Sequence, residues 1–299
     1  MSYEIPVLVI AFNRPDVTQK TFEYIRAIGP TKLYLAVDGA RVDRIGEAER
    51  VADVKRIFDG VDWPCEVHRK YNTDNLGAEI TVSSAVSWVL ENEEYVVVLE
   101  DDIVASRAFF SFAQEMLIRY KDNENIYVVS GSNFTPVDFC DGSDYTFCYC
   151  GHTWGWATWK RAWKMFSLEC DFLISKKELL ERYSCPKIAY YKYRQFKKFA
   201  NNPIGTNTWD ICWSFIRIKQ CGLSIVPRYN LVSNIGEYGL HFKGKTKVHY
   251  LEYNADFVAM KHPHVVKVDI MYESCHFDRY TYKSLWQRVI NKVNNLFRR

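Results

Sequence analysis

The first apolar run, "IPVLVIAF" (residues 5–12), has the pattern of a strand buried on both faces. Through residues 1–135, similar short runs alternate with helical patterns. "VLVIAFN" (7–13) predicts a strand, followed by a helix opening at Pro15. "KLYLAVDG" (32–39) predicts a second strand ending at Asp38, then a charged helix over residues 44–58. "CEVHRK" (65–70) follows. In "NLGAEITVSSAVSWVLEN", Ile80, Ala85, Val86, Val89 and Leu90 recur at helical spacing. "YVVVLEDD" (95–102) is the fourth strand, and residues 106–120 are again helical. Such alternation predicts an α/β fold with a mixed, mainly parallel sheet flanked by helices. Open sheets of that kind bind ligands beyond the carboxyl ends of their strands. Asn13-Arg14, Asp38 and Glu100-Asp101-Asp102 all fall at such ends.

After Ser130 the pattern loosens into aromatic-rich pieces, "GHTWGWATWKRAW", "TWDICWSFIRIKQCGL" and "NLVSNIGEYGLHF". No Pro/Gly/Ser linker divides the chain, so residues 1–280 read as one large domain. Residues 281–299 differ. Leu285, Trp286, Val289, Ile290, Val293, Leu296 and Phe297 fall on one helical face, with Lys283, Arg288, Lys292, Arg298 and Arg299 on the remainder. A basic amphipathic helix of this kind fits a membrane surface. Docking on its own domain, or on another copy, fits it equally.

Composition narrows the class. The 299 residues are 48% hydrophobic and 25% charged, as in a soluble globular protein. A net charge of +3 is too small to argue for nucleic acid. The nine cysteines form neither a disulfide framework nor a zinc pattern, and the nearest cluster, Cys140, Cys148 and Cys150, lacks a C-x-x-C pair. Reduced thiols, with no basic leader before the first strand, predict a cytoplasmic protein, peripheral on the inner membrane face if the tail binds there. Aromatics make up 16% of the chain, which suits stacking on sugars or bases as well as core filling.

Three consecutive carboxylates after an apolar strand repel one another unless a cation sits among them. A solvated acidic turn is one reading. A hard divalent cation, Mg2+ or Mn2+ on a substrate diphosphate, is the favoured one, given Arg14 and Asp38 at neighbouring strand ends.

With these residues in view, the chain resembles nucleotide-sugar-dependent glycosyltransferases of the GT-A (Rossmann-like) fold. "VLEDDI" is similar to their D-x-D element, "IPVLVIAFNRP" to the first nucleotide-binding strand and "AVDGAR" to the second. "TWGWATWKRAW", "TWDICW" and "NLVSNIGEYGLHF" resemble later motifs of a bacterial, haemolysin-like group acting in surface-polysaccharide synthesis. A more distant similarity is to the N-acetylglucosaminyltransferase that starts hybrid N-glycans. The resemblance implies a nucleotide-sugar-binding part over residues 1–135 and an acceptor-side part over 136–280. It further implies a UDP-sugar donor, Mn2+ or Mg2+, and a glycan acceptor, lipid-linked if the tail binds membrane.

Roles follow from the same resemblance. Asp102 would ligate the metal, while Glu100 and Asp101 would meet ribose, sugar hydroxyls or metal-bound water. Arg14 would pair with phosphate or bond the base. Asp38 would accept from the uracil N–H; an ordinary turn or cap residue is its open alternative. Asp210 would be the general base of an inverting displacement, with Glu237 in reserve. His241 would touch the diphosphate or metal beside Gly236 and Gly239. Trp154, Trp156 and Trp209 would face the acceptor, with core packing the alternative for Trp154, Trp156 and Trp159. The chain lacks a Walker-type phosphate loop, a G-x-G-x-x-G fingerprint and a G-x-S-x-G elbow. Two alternatives remain: a sugar-1-phosphate nucleotidyltransferase, and a non-catalytic nucleotide- or glycan-binding protein.

Overall fold

Strand β1 (Val7–Ala11), buried along its whole length, lies inside an eight-stranded sheet. The computed structural model describes residues 3–135, 138–139, 141–201, 208–237 and 249–282. On one side β1 pairs in parallel with β2 (Lys32–Val37), which pairs in parallel with β3 (Glu66–Tyr71). On its other side it pairs in parallel with β4 (Tyr95–Glu100). Each buried valine or leucine of these strands is worth roughly 1.5–3 kcal/mol, and that burial brings the charged strand ends together. Strand β3 is charged and nowhere fully buried, as suits an edge strand.

Helices connect the parallel strands. Helix α1 (Pro15–Ile28) starts on proline, tolerated in the first turn because that N–H has no intrahelical partner. It buries Thr18, Thr21, Phe22 and Ile25. Gly29, at φ 61°, ends it in the left-handed region. Helix α2 (Glu47–Phe58) begins later than the charge pattern implies, because Glu47 is a buried anchor. Arg41 Nε donates to Glu47 Oε2 at 2.9 Å and Asn13 Nδ2 to Oε1 at 2.7 Å. These bonds, Arg41 first, hold Glu47 down at about 2. In helix α3 (Gly77–Asn92) the expected apolar face is buried except for Ile80, which is 47% exposed.

Beyond β4 the sheet becomes mixed. Strand β8 (Trp156–Trp159) pairs antiparallel with β4 and with β6 (Ile126–Ser130). Strand β9 (Leu223–Pro227) runs parallel to β6 and antiparallel to β7 (Tyr145–Cys148). One sheet therefore runs through both parts of the chain, the α/β arrangement the alternation predicts. A separate two-stranded ribbon joins β5 (Ile103–Ala105) to β10 (Val232–Asn234), with Ile103 opposite Asn234. Helix α4 (Arg107–Arg119) is capped by Ser106, whose Oγ accepts from Phe109 N at 3.2 Å. Helices α5 (Lys160–Trp163), α6 (Lys176–Tyr183), α7 (Pro186–Asn201), α8 (Trp209–Lys219) and α9 (Ile270–His276) complete the second half. Among the described residues no helix is long and apolar enough to cross a membrane. His241, Gly239 and the amphipathic pattern beyond Tyr282 lie outside them.

Candidate active site

In the order β3-β2-β1-β4, successive strands move one way from β1 and then to its other side, so connections part between β1 and β4. Ligand crevices form at such a switch point. Here Ile10 is the register partner of Glu100, so the segment 12–14 and the acidic turn 100–102 emerge side by side. They open on a cleft of about 1230 Å³ lined also by Asp38, Trp154, Trp209, Asp210 and Glu237.

The cation among the acids is Arg14. Its Nη2 ion-pairs with Asp101 Oδ1, its Nε donates to Asp101 Oδ2 at 3.3 Å, and its Nη1 lies 2.9 Å from Asp102 Oδ2. The sequence expectation placed this charge on a phosphate or base, whereas the guanidinium forks onto two carboxylates of its own chain. Asp101 is consequently a buried partner of Arg14 and not an open contact for ribose. Burial still pushes its carboxyl up to about 6, with Arg14 pulling it down.

Glu100 has a different position. It is half-buried and makes no hydrogen bond or ion pair among the described residues. Burial, then Asp102 and Asp101, push it up to about 8, and Asp210 adds to the lift across the cleft. Asp102 engages Arg14 through Oδ2 and leaves Oδ1 without a hydrogen bond. Its backbone oxygen accepts from Ile235 N at 2.9 Å, extending the β5–β10 ribbon to the turn. A β-carbon on Gly236 would collide with Asp102 Oδ2, so glycine there is a steric requirement of the site. Gly236→Ala is expected to push Asp102 aside and to destabilise the fold by about 1–3 kcal/mol, measured by chemical denaturation of the variant beside the wild-type chain.

Asp38 departs from its predicted role. Its Oδ1 accepts from Gly39 N, Asn72 Nδ2 and Leu76 N, and its Oδ2 from Asn75 Nδ2 and Gly77 N, all at 3.0 Å. Five donors saturate the carboxylate, which leaves nothing for a uracil N–H. Asp38 is the post that folds residues 72–77 into the cleft wall and starts α3.

The tryptophans divide between wall and core. Trp154 is half-buried and lines the cleft, 5.4 Å from the His249 ring. Trp209 lines it at the start of α8 and stacks on Trp156 at 5.7 Å. Trp156 itself, 1% exposed on β8, is core and cannot face an acceptor. Trp159 is also core, its Nε1 donating to Leu117 O at 3.0 Å. Asp210 is exposed in the first turn of α8.

Several residues that line the cleft or support its lining carry no sequence signature. Glu47 with Arg41, and the Asn72–Asn75 pair around Asp38, act through contacts between distant segments. Tyr250 donates to Glu237 Oε1 at 2.8 Å and lines the cleft. His249 stands near enough to Asp102 and Glu237 for their charges to oppose the downward pull of its burial. His241, the histidine of the sequence expectation, lies outside the described residues; among those described, His249 packs against Trp154 of the cleft wall.

No family model and no curated protein sequence matches the chain. Solved structures similar to part of it include HddC from Yersinia pseudotuberculosis, at 14% identity and TM-score 0.34 over 56% of this chain and 85% of that one. Another is 4-diphosphocytidyl-2C-methyl-D-erythritol synthase from Anaerococcus prevotii DSM 20548, at 12% identity and TM-score 0.36 over 66% of this chain and 100% of that one. Mouse xyloside xylosyltransferase 1 is similar at 8% identity and TM-score 0.37 over 72% of this chain and 81% of that one. Likeness at this level carries no inference about the reaction.

Proposed function

We propose that the protein is a metal-dependent glycosyltransferase that moves a sugar from a nucleotide diphosphate, a UDP-sugar, to a hydroxyl of a glycan acceptor with inversion. The observation that carries this reading is the carboxylate arrangement at the switch point. Among the described residues Glu100 makes no hydrogen bond or ion pair and Asp102 Oδ1 accepts no hydrogen bond, while Asp210 lines the same cleft from another element beside Trp154 and Trp209. This oxygen-rich set fits a hard divalent cation, with Asp102 and Glu100 as the protein ligands. When bound, such an ion supplies Lewis-acid stabilisation to a departing diphosphate.

The chain's own residues do the rest. Arg14 holds Asp101 and Asp102 in place, so the turn is set before substrate arrives. Lys20 on α1 and Arg50 on α2 line the same cleft and bring positive charge to a diphosphate. Asp210 takes the proton from the attacking hydroxyl, and Trp154 and Trp209 give that sugar an apolar face to stack on.

Thermal stabilisation by UDP-, GDP-, dTDP- and CMP-sugars, with and without Mn2+, tests the reading. A Mn2+-dependent shift with one donor class, together with slow release of the nucleoside diphosphate, is expected. No shift with any donor would end the proposal. Pyrophosphate release from a nucleoside triphosphate and a sugar 1-phosphate would replace it with a nucleotidyltransferase.

A further inference from the structure

Away from the cleft, at the β7 end of the sheet, the chain gathers a second chemically unusual cluster. Cys148 closes β7, and Cys150 follows two residues on, the strand spacing that puts two side chains on one face. Glu273 comes from α9, and one ligand atom each of Cys148, Cys150 and Glu273 lies within 4.8 Å of the others. Cys148 is fully buried and Glu273 is 3% exposed.

Two features distinguish this cluster from thiols that merely fill a core. Glu273 is oriented by backbone, since its Oε1 accepts from Tyr149 N and, at 3.1 Å, from Cys150 N. Hydrogen bonds of this kind fix a carboxylate's orientation, as metal-bound carboxylates require. The second is Arg217 of α8, 2% exposed and without an ion pair among the described residues. It donates to Ser224 Oγ and to Gly151 O at 3.2 Å, and its Nε has no hydrogen-bond partner. Its bond to Gly151 O sets the guanidinium beside the residue that follows Cys150. A buried guanidinium needs a compensating anion.

We propose that Cys148, Cys150 and Glu273 bind a zinc ion, with water in the fourth position. Two thiolates and a carboxylate around Zn2+ make a complex of charge −1, which balances the buried guanidinium of Arg217. Binding releases the two thiol protons to solvent, along with any proton on Glu273, and changes no oxidation state. Thiolate ligands select zinc over the hard ions suited to the cleft. The segment so fixed runs directly into Thr153 and Trp154 of the cleft wall, which gives the ion a structural purpose. The spacing C-x-C gave no zinc pattern because the third ligand lies on a distant helix. The inference does not depend on the reaction proposed for the cleft.

The test uses the full chain, reduced with a phosphine, incubated with Zn2+ and desalted. One zinc per chain by mass spectrometry is expected, retained in Asp102→Ala and lost in the double variant Cys148→Ser, Cys150→Ser. Cobalt in place of zinc should give a thiolate-to-metal charge-transfer band, which oxygen ligands in the cleft do not produce. Because the double variant can fail to fold, the cobalt spectrum of the folded wild-type chain stands alone as a criterion. Absence of that band, or zinc retention unchanged in a folded double variant, would each overturn the proposal.

Discussion

Asp210→Asn is expected to lower turnover by ~10²- to 10⁴-fold, the range for loss of a positioned general base, while donor binding stays within a few-fold. The amide keeps the shape of the side chain at the first turn of α8 but cannot take a proton. Asp210 is exposed and its side chain makes no hydrogen bond among the described residues, so stability should scarcely change. The variant therefore separates chemistry from folding. The measurement is acceptor-dependent release of the nucleoside diphosphate, beside the donor-induced thermal shift. Turnover within a few-fold of wild type would remove Asp210 from the mechanism and bring forward Glu237.

Arg14→Met should have the largest effect on stability. It strands Asp101, whose side chain is 4% exposed, and such losses of one partner cost about 3–5 kcal/mol. The cost should depend on pH with a definite sign. Glu100 and Asp101 are raised in the folded state, to about 8 and about 6, so the native protein holds protons there that the unfolded chain has released. Stability then falls as pH rises from about 4 to 8. Arg14 lowers both groups, and without it that fall steepens. Chemical denaturation with divalent ions chelated should show the two proteins closest near pH 4 and furthest apart near pH 8. Parallel curves would mean that Arg14 does not stabilise the acidic turn through charge.

The parallel half of the sheet was legible in the sequence because its strands are continuous apolar runs and each helix between them has a one-sided face. Ile80 escaped that reading since periodicity cannot tell a core-facing position from one left 47% exposed beside it. The acidic turn was legible as a site, but the identity of its cation was not. Arg14 and Asp101 are 87 residues apart, and only the parallel pairing of β1 with β4 makes them neighbours. Asp38 misled for a related reason. A carboxylate at a strand end looks open in sequence, while its five donors come from backbone and asparagine groups that carry no motif. Trp156 and Trp209 looked alike within aromatic-rich segments, and only the sheet position of β8 assigns one to the core.

The ribbon of β5 with β10 sets the order in which the protein can become competent. All of the parallel block, with Arg14 and the acidic turn, leaves the ribosome before Val232 to Asn234 are made. Until then β5 has an unpaired edge, and Asp102 lacks both the bond from Ile235 and the close approach of Gly236. Such long-range closure is slow compared with local helix formation. A nascent chain therefore passes through a stage with most of its sheet built and its acidic turn still open. At that stage the exposed strand edge is a point where chains can pair with each other instead of with themselves.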